Sequence, residues 1–196
     1  MMIGAIILAA GSSRRFGSDK RRSKLPSGQM VLEKTILNVS TMIDHVLVVL
    51  RSGDHEFTQE LSELVGKPSV EYFCAPDSAE GMGSSLSNAI NMIQTWDAAL
   101  VFLGDMPFIQ AEAVESIIAE FNQRQASGAP IVMPTQDNRW GHPVMFDQAY
   151  FEEIKGLSGD QGAKRIIKGH RDMVFEIPVD DGGVLKDIDR PSDISS

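Results

Sequence analysis

A chain of 196 residues, 42% of them hydrophobic and 23% charged, can bury one substantial core and is too apolar for a disordered protein. Its formal net charge of −9 argues against a nucleic-acid or anionic-membrane surface. Its single cysteine, Cys74, excludes an intrachain disulfide and a cysteine metal cluster. No apolar run approaches the roughly 20 residues of a membrane span, and a reducing, cytoplasmic location is expected.

Residues 2–9 form the first predicted strand. The apolar run 3–10 imitates a leader, but no Lys or Arg precedes it and the basic residues follow it, so a strand is the better reading. A basic loop comes next. Arg14, Arg15, Lys20, Arg21, Arg22 and Lys24 are six of the 18 Lys and Arg of an acidic chain, which suggests a multiply charged anion held there. Apolar stripes then predict helices over 31–40, 57–65, 86–96 and 111–126. Apolar strands over 46–50, 70–74, 98–103 and 131–134 alternate with them, several of them continuously apolar, as in strands buried on both faces. The rhythm breaks at a polar turn, 136–141. A strand over 142–146 with no long helix before it reads as an antiparallel insertion. Short helices over 147–155 and 162–168, a strand over 173–178 and an acidic, turn-rich tail complete the chain. The expected fold is a single α/β domain over 1–196, three-layered, with a mostly parallel twisted sheet and helices on both faces.

Three segments fall at predicted carboxyl ends of strands, where open α/β sheets bind ligands. Gly11, Ser12 and Ser13 lack bulk, so their backbone N–H groups can approach a phosphate chain, and Arg14, Arg15 and Lys20 can neutralise it. The spacing matches neither a P-loop nor a dinucleotide-binding Gly-x-Gly-x-x-Gly. For Arg21, Arg22 and Lys24 a solvated surface loop is an equal reading. In the second segment, Gly81 to Leu86, Ser84 or Ser85 can cap the following helix, and capping alone would explain them. In the third, Asp105 between Gly104 and Met106 is either a metal-binding carboxylate suited to Mg2+ or an Asp turn or cap. His142 reads as a structural histidine or a site residue. Asp160 reads as a helix cap with Lys164 and Arg165 turned toward any nearby anion. Asp187, Asp189 and Asp193 are either solvated tail or a source of a second metal ligand.

Taken in order, the segments Leu8-Ala9-Ala10-Gly11-Ser12-Ser13-Arg14-Arg15-Phe16-Gly17 with Asp19-Lys20, Gly81-Met82-Gly83-Ser84-Ser85-Leu86, Gly104-Asp105-Met106-Pro107, Gly141-His142-Pro143-Val144, Gly159-Asp160-Gln161-Gly162-Ala163 and Asp187-Ile188-Asp189-x-Pro191 resemble the molybdopterin nucleotidyltransferases, especially the molybdenum cofactor cytidylyltransferase branch. The resemblance implies a Rossmann-like nucleotidyltransferase fold and transfer of CMP from CTP to a molybdopterin-type acceptor. By it, Leu8, Ala9, Ala10, Gly11, Ser12, Ser13 and Arg14 hold the triphosphate with Lys20 or Lys24, while Gly83, Ser84 and Ser85 contact the nucleotide. Arg15, Lys20 and Asp105 form the catalytic set, Asp105 with Asp187 or Asp189 binds Mg2+, and His142, Asp160 and Lys164 face the acceptor. A molybdenum hydroxylase apoprotein is the implied recipient. Guanylyl or sugar-phosphate nucleotidyl transfer on the same fold, and non-catalytic nucleotide binding, are the alternatives.

Overall fold

The computed structural model describes residues 1–11 and 16–195. Its strands are β1 (Ile3–Leu8), β2 (Val46–Arg51), β3 (Val70–Ala75), β4 (Ala98–Leu103), β5 (Ile131–Gln136), β6 (Arg139–Trp140), β7 (Val144–Asp147) and β8 (Val174–Pro178). The helices are α1 (Val31–Met42), α2 (His55–Val65), α3 (Met82–Ile90), α4 (Ala111–Gln125), α5 (Phe151–Lys155) and α6 (Lys164–Gly169). The strands form one sheet in the order β3-β2-β1-β4-β7-β5-β6, with β8 beside β5. The pairs β3/β2, β2/β1, β1/β4 and β5/β8 are parallel. β7 runs antiparallel between β4 and β5, as expected for the 142–146 insertion.

The apolar strands are buried on both faces. Ala5, Ile7, Val46, Val48, Leu50, Leu100 and Phe102 pack with α1, α2 and α4, through Leu32, Ile36, Phe57, Leu61, Val114, Ile117 and Phe121. Ile6, Leu8, Leu47, Val49, Ala99 and Val101 pack on the other side with Leu86, Ile90, Phe151, Ile154, Ile166 and Ile167 of α3, α5 and α6. Successive side chains of a strand alternate faces, so an unbroken apolar run serves two helical layers at once.

Chain direction across the sheet locates the ligand crevice. From β1 the chain steps outward through β2 and β3, then returns to β4 on the other side of β1. The carboxyl ends of β1 and β4 therefore flank a topological switch point, where open sheets accommodate ligands. The two ends finish in register, Leu8 beside Leu103. Just beyond, a Cβ at Gly104 would lie 2.8 Å from the Ala9 Cβ and 3.1 Å from Leu32 Cδ1, so only glycine permits the approach.

Several expectations are corrected. The third helix begins at Met82 and ends at Ile90, not 86–96. Beyond it tight turns, Met92 N–H to Ala89 O (3.0 Å) and Trp96 N–H to Ile93 O (3.1 Å), fold the Trp96 ring over the space left by Gly4. The residues expected as one helix over 147–155 are the end of β7, a single 3-10 turn and the short α5; Asp147 accepts from Ala149 N–H at 2.9 Å and starts that turn. The polar turn 136–141 contains a two-residue hairpin, with Asp137 and Asn138 at φ 53° and 60°, which pairs β5 with β6. Cys74, expected in a buried strand, lies on β3 but is half-buried.

Candidate active site

Lys20 lies in a 3-10 turn (Lys20–Arg22) that follows the basic loop. Its ammonium reaches Asp105 Oδ2 at 2.5 Å and Asp189 Oδ1 at 2.9 Å. Asp105 follows β4 by two residues and is positioned by backbone on both sides. The preceding Gly104 N–H donates to Leu8 O at 2.9 Å, and Gly104 O accepts from the buried Thr35 hydroxyl at 3.2 Å. Lys20, from the turn that follows β1, and Asp105, from the loop that follows β4, thus meet across the crevice between their strands.

The tail completes this cluster. Ile188, fully buried, donates its N–H to Asp105 O at 3.0 Å, so its neighbours Asp187 and Asp189 arrive beside Asp105. The tail is held further back by Asp181, which accepts from Gln110 N–H (2.8 Å) and Gly183 N–H (2.8 Å), and by Val184 O, which accepts from His142 N–H at 2.9 Å. One oxygen from each of Asp105, Asp187 and Asp189 lies within 4.8 Å of the others. Asp193, the third acid of the tail, instead accepts from the Asp189 and Arg190 N–H groups.

Burial and neighbouring charge act against each other in the cluster. Burial works against the Lys20 charge, yet Asp105 and Asp189 outweigh it and hold the lysine above its ordinary pKa. Burial and then the neighbouring Asp189 and Asp105 push Asp187 upward. Among the described residues, Asp105 Oδ1 is the buried side-chain oxygen with no hydrogen-bond partner. Three hard carboxylates converging with one coordination-competent oxygen orphaned fit a divalent cation such as Mg2+, which selects oxygen ligands. A cavity of about 350 Å3, lined by Gly182, Leu185, Lys186, Asp187, Asp189 and Asp193, adjoins the cluster.

His142 is close enough to sense the cluster. Burial holds its imidazole below the usual histidine pKa, opposed by its contact with Val101 O (3.4 Å) and by Asp105, while Lys164 reinforces the depression. Lys164 is exposed at the start of α6. Asp160 is exposed and does not cap that helix, whose N-cap is Ala163 with no side-chain bond. Asp160 packs instead against Gly81.

Ser84 and Ser85 are not helix caps. The N-cap of α3 is Gly81, at φ 135°, and both serines are buried in its first turn. Ser84 Oγ donates to Glu80 at 2.9 Å and accepts from Gly159 N–H at 3.1 Å; Ser85 Oγ donates to Gly81 O at 3.0 Å. A Cβ at Gly83 would lie 2.8 Å from Gly159 O. The Gly-x-Gly-Ser-Ser segment therefore packs closely on the 158–162 loop and holds it through the Ser84 hydroxyl, a role the sequence does not reveal because the partners are some 75 residues apart.

On the first loop, Leu8, Ala9 and Ala10 are buried at the end of β1 and Gly11 is exposed. Ser12, Ser13, Arg14 and Arg15 lie outside the described residues. Lys24 is exposed and its backbone bridges to Met30, so of the two lysines it is Lys20 that meets Asp105. Arg21, read equally as a solvated loop residue, is buried. It pairs with Asp19 (Nη2 to Oδ2, 2.6 Å) and with Asp54, and donates to Ala9 O at 3.0 Å.

The chain resembles proteins of known name and known structure. It is 27% identical over 196 residues to the purine catabolism protein PucB of Bacillus subtilis, covering 96% of this chain and 92% of that one. It is 30% identical over 183 residues to a probable molybdenum cofactor guanylyltransferase of Pyrococcus horikoshii, covering 91% and 84%. The crystal structure of the Rv0371c homolog from Mycobacterium sp. strain JC1 superposes with a TM-score of 0.79 at 31% identity, over 97% of this chain and 92% of that one. With residues 5–174 matching the MobA-like NTP transferase domain, the chain belongs to that family of nucleotidyltransferases and carries its Rossmann-like fold.

Proposed function

We propose that the protein transfers CMP from CTP to the phosphate of a molybdopterin-type acceptor and releases pyrophosphate. The observation that carries nucleotidyl transfer is the meeting of Lys20 with Asp105 and Asp189 at the switch point between β1 and β4. The choice of CTP rests on the segments Leu8-Ala9-Ala10-Gly11 and Gly81 to Leu86, which follow the cytidylyltransferase pattern.

The residues present supply charge and position rather than a nucleophile. A phosphomonoester is already anionic near neutral pH, so in-line attack of its oxygen on the α-phosphorus needs no strong base. Lys20, kept protonated by its acidic neighbours, would follow the charge that builds on the departing pyrophosphate, with Arg15 as its partner. Asp105, Asp187 and Asp189 would hold Mg2+, which supplies neutralisation of the phosphates and polarises the reacting phosphoryl group. His142, held neutral by burial, would offer the acceptor a hydrogen-bonding edge, with Lys164 nearby for its charge. Leu8, Ala9, Ala10, Gly11, Ser12, Ser13, Arg14, Lys24 and Gly83 remain in the proposed nucleotide site. Ser84 and Ser85 enter it by shaping the loop that carries Asp160. Among the described residues no helix is long and apolar enough to cross a membrane, and we assign the reaction to the cytoplasm, with a molybdenum hydroxylase apoprotein as recipient.

Guanylyl transfer is the second reading, favoured by the name of the Pyrococcus horikoshii relative. Pyrophosphate release measured with CTP, GTP and UTP in turn, each with Mg2+ and molybdopterin, separates the readings. CTP should be used fastest. Preference for GTP would move the assignment to guanylyl transfer, and binding without pyrophosphate release from any nucleotide would leave a non-catalytic nucleotide binder.

A further inference from the structure

Resting on the nucleotidyl-transfer reading, we propose that Asp19, Arg21, Arg51 and Asp54 form a positioning network that fixes Ala9 and Gly11 on one side, and the turn bearing Lys20 on the other, where they serve the triphosphate. The network lies back to back with the Lys20 cluster. In the turn that starts at Asp19, Lys20 points to Asp105 while its two neighbours, Asp19 and Arg21, point into the network.

Every nitrogen of the Arg21 guanidinium is used. Nε donates to Asp19 Oδ1 (2.8 Å), Nη2 to Asp19 Oδ2 (2.6 Å) and to Asp54 Oδ1 (3.2 Å), and Nη1 to Ala9 O (3.0 Å) and to Asp54 Oδ2. The side chain is 5% exposed and stacks on the Phe57 ring at 5.0 Å, so it is not available to a ligand. Arg51, at the carboxyl end of β2, donates to Gly11 O through Nε (3.1 Å) and Nη2, and to Asp19 Oδ2 through Nη1 (3.4 Å). Asp54 Oδ2 accepts from Arg51 N–H at 3.0 Å, which locks that strand end.

The bonds converge on Ala9 and Gly11 before the loop and on Asp19 after it. Two carboxylates beside an anion-binding loop are electrostatically adverse to a triphosphate. Their placement makes sense as geometry: Asp19 joins two arginines, and through them both loop flanks are fixed to the rigid ends of β1 and β2. A fork of five donors suits this task as an ammonium does not.

The charge of Asp19 gives a test of opposite sign for the rival explanations. If Asp19 acts only through its charge, Asp19→Asn removes an anion and tightens CTP binding. If it positions the loop, the same variant weakens it. We expect KM for CTP to rise between about 10- and 100-fold in Asp19→Asn, with a smaller change in kcat and no change in KM for the acceptor. Arg51→Ala, at a residue 30% exposed, should show the same split with its melting temperature little altered, and Arg51→Lys should recover part of the loss. Because both act through one network, Asp19→Asn with Arg51→Ala should be no worse than the worse single variant. Unchanged or tighter CTP binding in Asp19→Asn would overturn the proposal, as would multiplied effects in the double variant, which would make Arg51 a direct ligand. Should Asp19→Asn fail to fold, the Arg51 pair decides on the same readouts. Absence of pyrophosphate release by the wild type would strike the nucleotidyl-transfer reading alone, since CTP affinities measured calorimetrically still rank the variants.

Discussion

Two charge clusters share one short turn and differ in what they leave unmet. On one side Arg21 and Arg51 face Asp19 and Asp54, two cations against two anions, with the hydrogen bonds of Arg21 saturated. On the other, among the described residues, Lys20 pairs with Asp105 and Asp189, Asp187 converges with them, and a buried oxygen of Asp105 has no partner. A balanced, saturated cluster stabilises a chain conformation. One that leaves a buried carboxylate oxygen unmet keeps an electrostatic cost that binding a cation relieves, and such cost concentrates at functional sites. The contrast separates neighbours that composition alone lumps together as one basic loop.

The two clusters should therefore fail differently. Lys20→Ala should reduce pyrophosphate release about 100-fold, the loss expected for a main electrostatic element, while the protein still melts cooperatively. Arg21→Met should do the reverse in kind. It leaves the partly buried Asp54 without its cation and Asp19 with only the longer Arg51 contact, and should cost about 3 kcal/mol in urea unfolding, the low end for a broken buried pair because Asp19 and Asp54 retain some solvent. A wild-type-like unfolding midpoint in Arg21→Met would collapse the distinction.

The balanced cluster also has a pH signature. Burial tends to raise the Asp19 pKa, but its bonds and charge pairing with Arg21 and Arg51 outweigh that, so the folded-state value lies below the ordinary 3.8. The stability it contributes is present above about pH 4 and is lost as pH falls through the folded-state value. Urea titrations from pH 6 down to pH 3 should show a steeper decline for the wild type than for Arg21→Met, and parallel declines would remove Asp19 from the account. The smallest effect belongs to Lys24. Exposed and apart from both clusters, it should change KM for CTP less than about fivefold when replaced by Ala, the ceiling of about 1 kcal/mol for a surface charge. A larger loss would make Lys24 a principal phosphate ligand beside Lys20.

What could be read from the sequence depended on how far apart the partners lie. The doubly buried strands declare themselves in unbroken apolar runs, and Lys20 and Asp105 stand out because each follows such a run. The antiparallel insertion showed in the loss of helical spacing after Thr135. The start of α3 was misplaced because Gly81-Met82-Gly83 has the composition of a loop, whereas its glycines serve contact with Gly159 and Ser158. Arg21 was illegible for the same reason: Asp54 is 33 residues away, and nothing local distinguishes a buried guanidinium from a solvated one. The tail read as solvated or metal-binding alike, and only the burial of Ile188 against the Asp105 backbone brings its acids to the site.

The central claim is that Asp105 faces the cationic turn across a shared crevice and takes part in nucleotidyl transfer. Pyrophosphate release from CTP with Mg2+ and molybdopterin, measured for the wild type and for Asp105→Ala alongside their melting curves, tests it most directly. The account predicts a fall of at least about 100-fold in the variant with the fold retained. Near-normal Mg2+-dependent turnover by Asp105→Ala would contradict it.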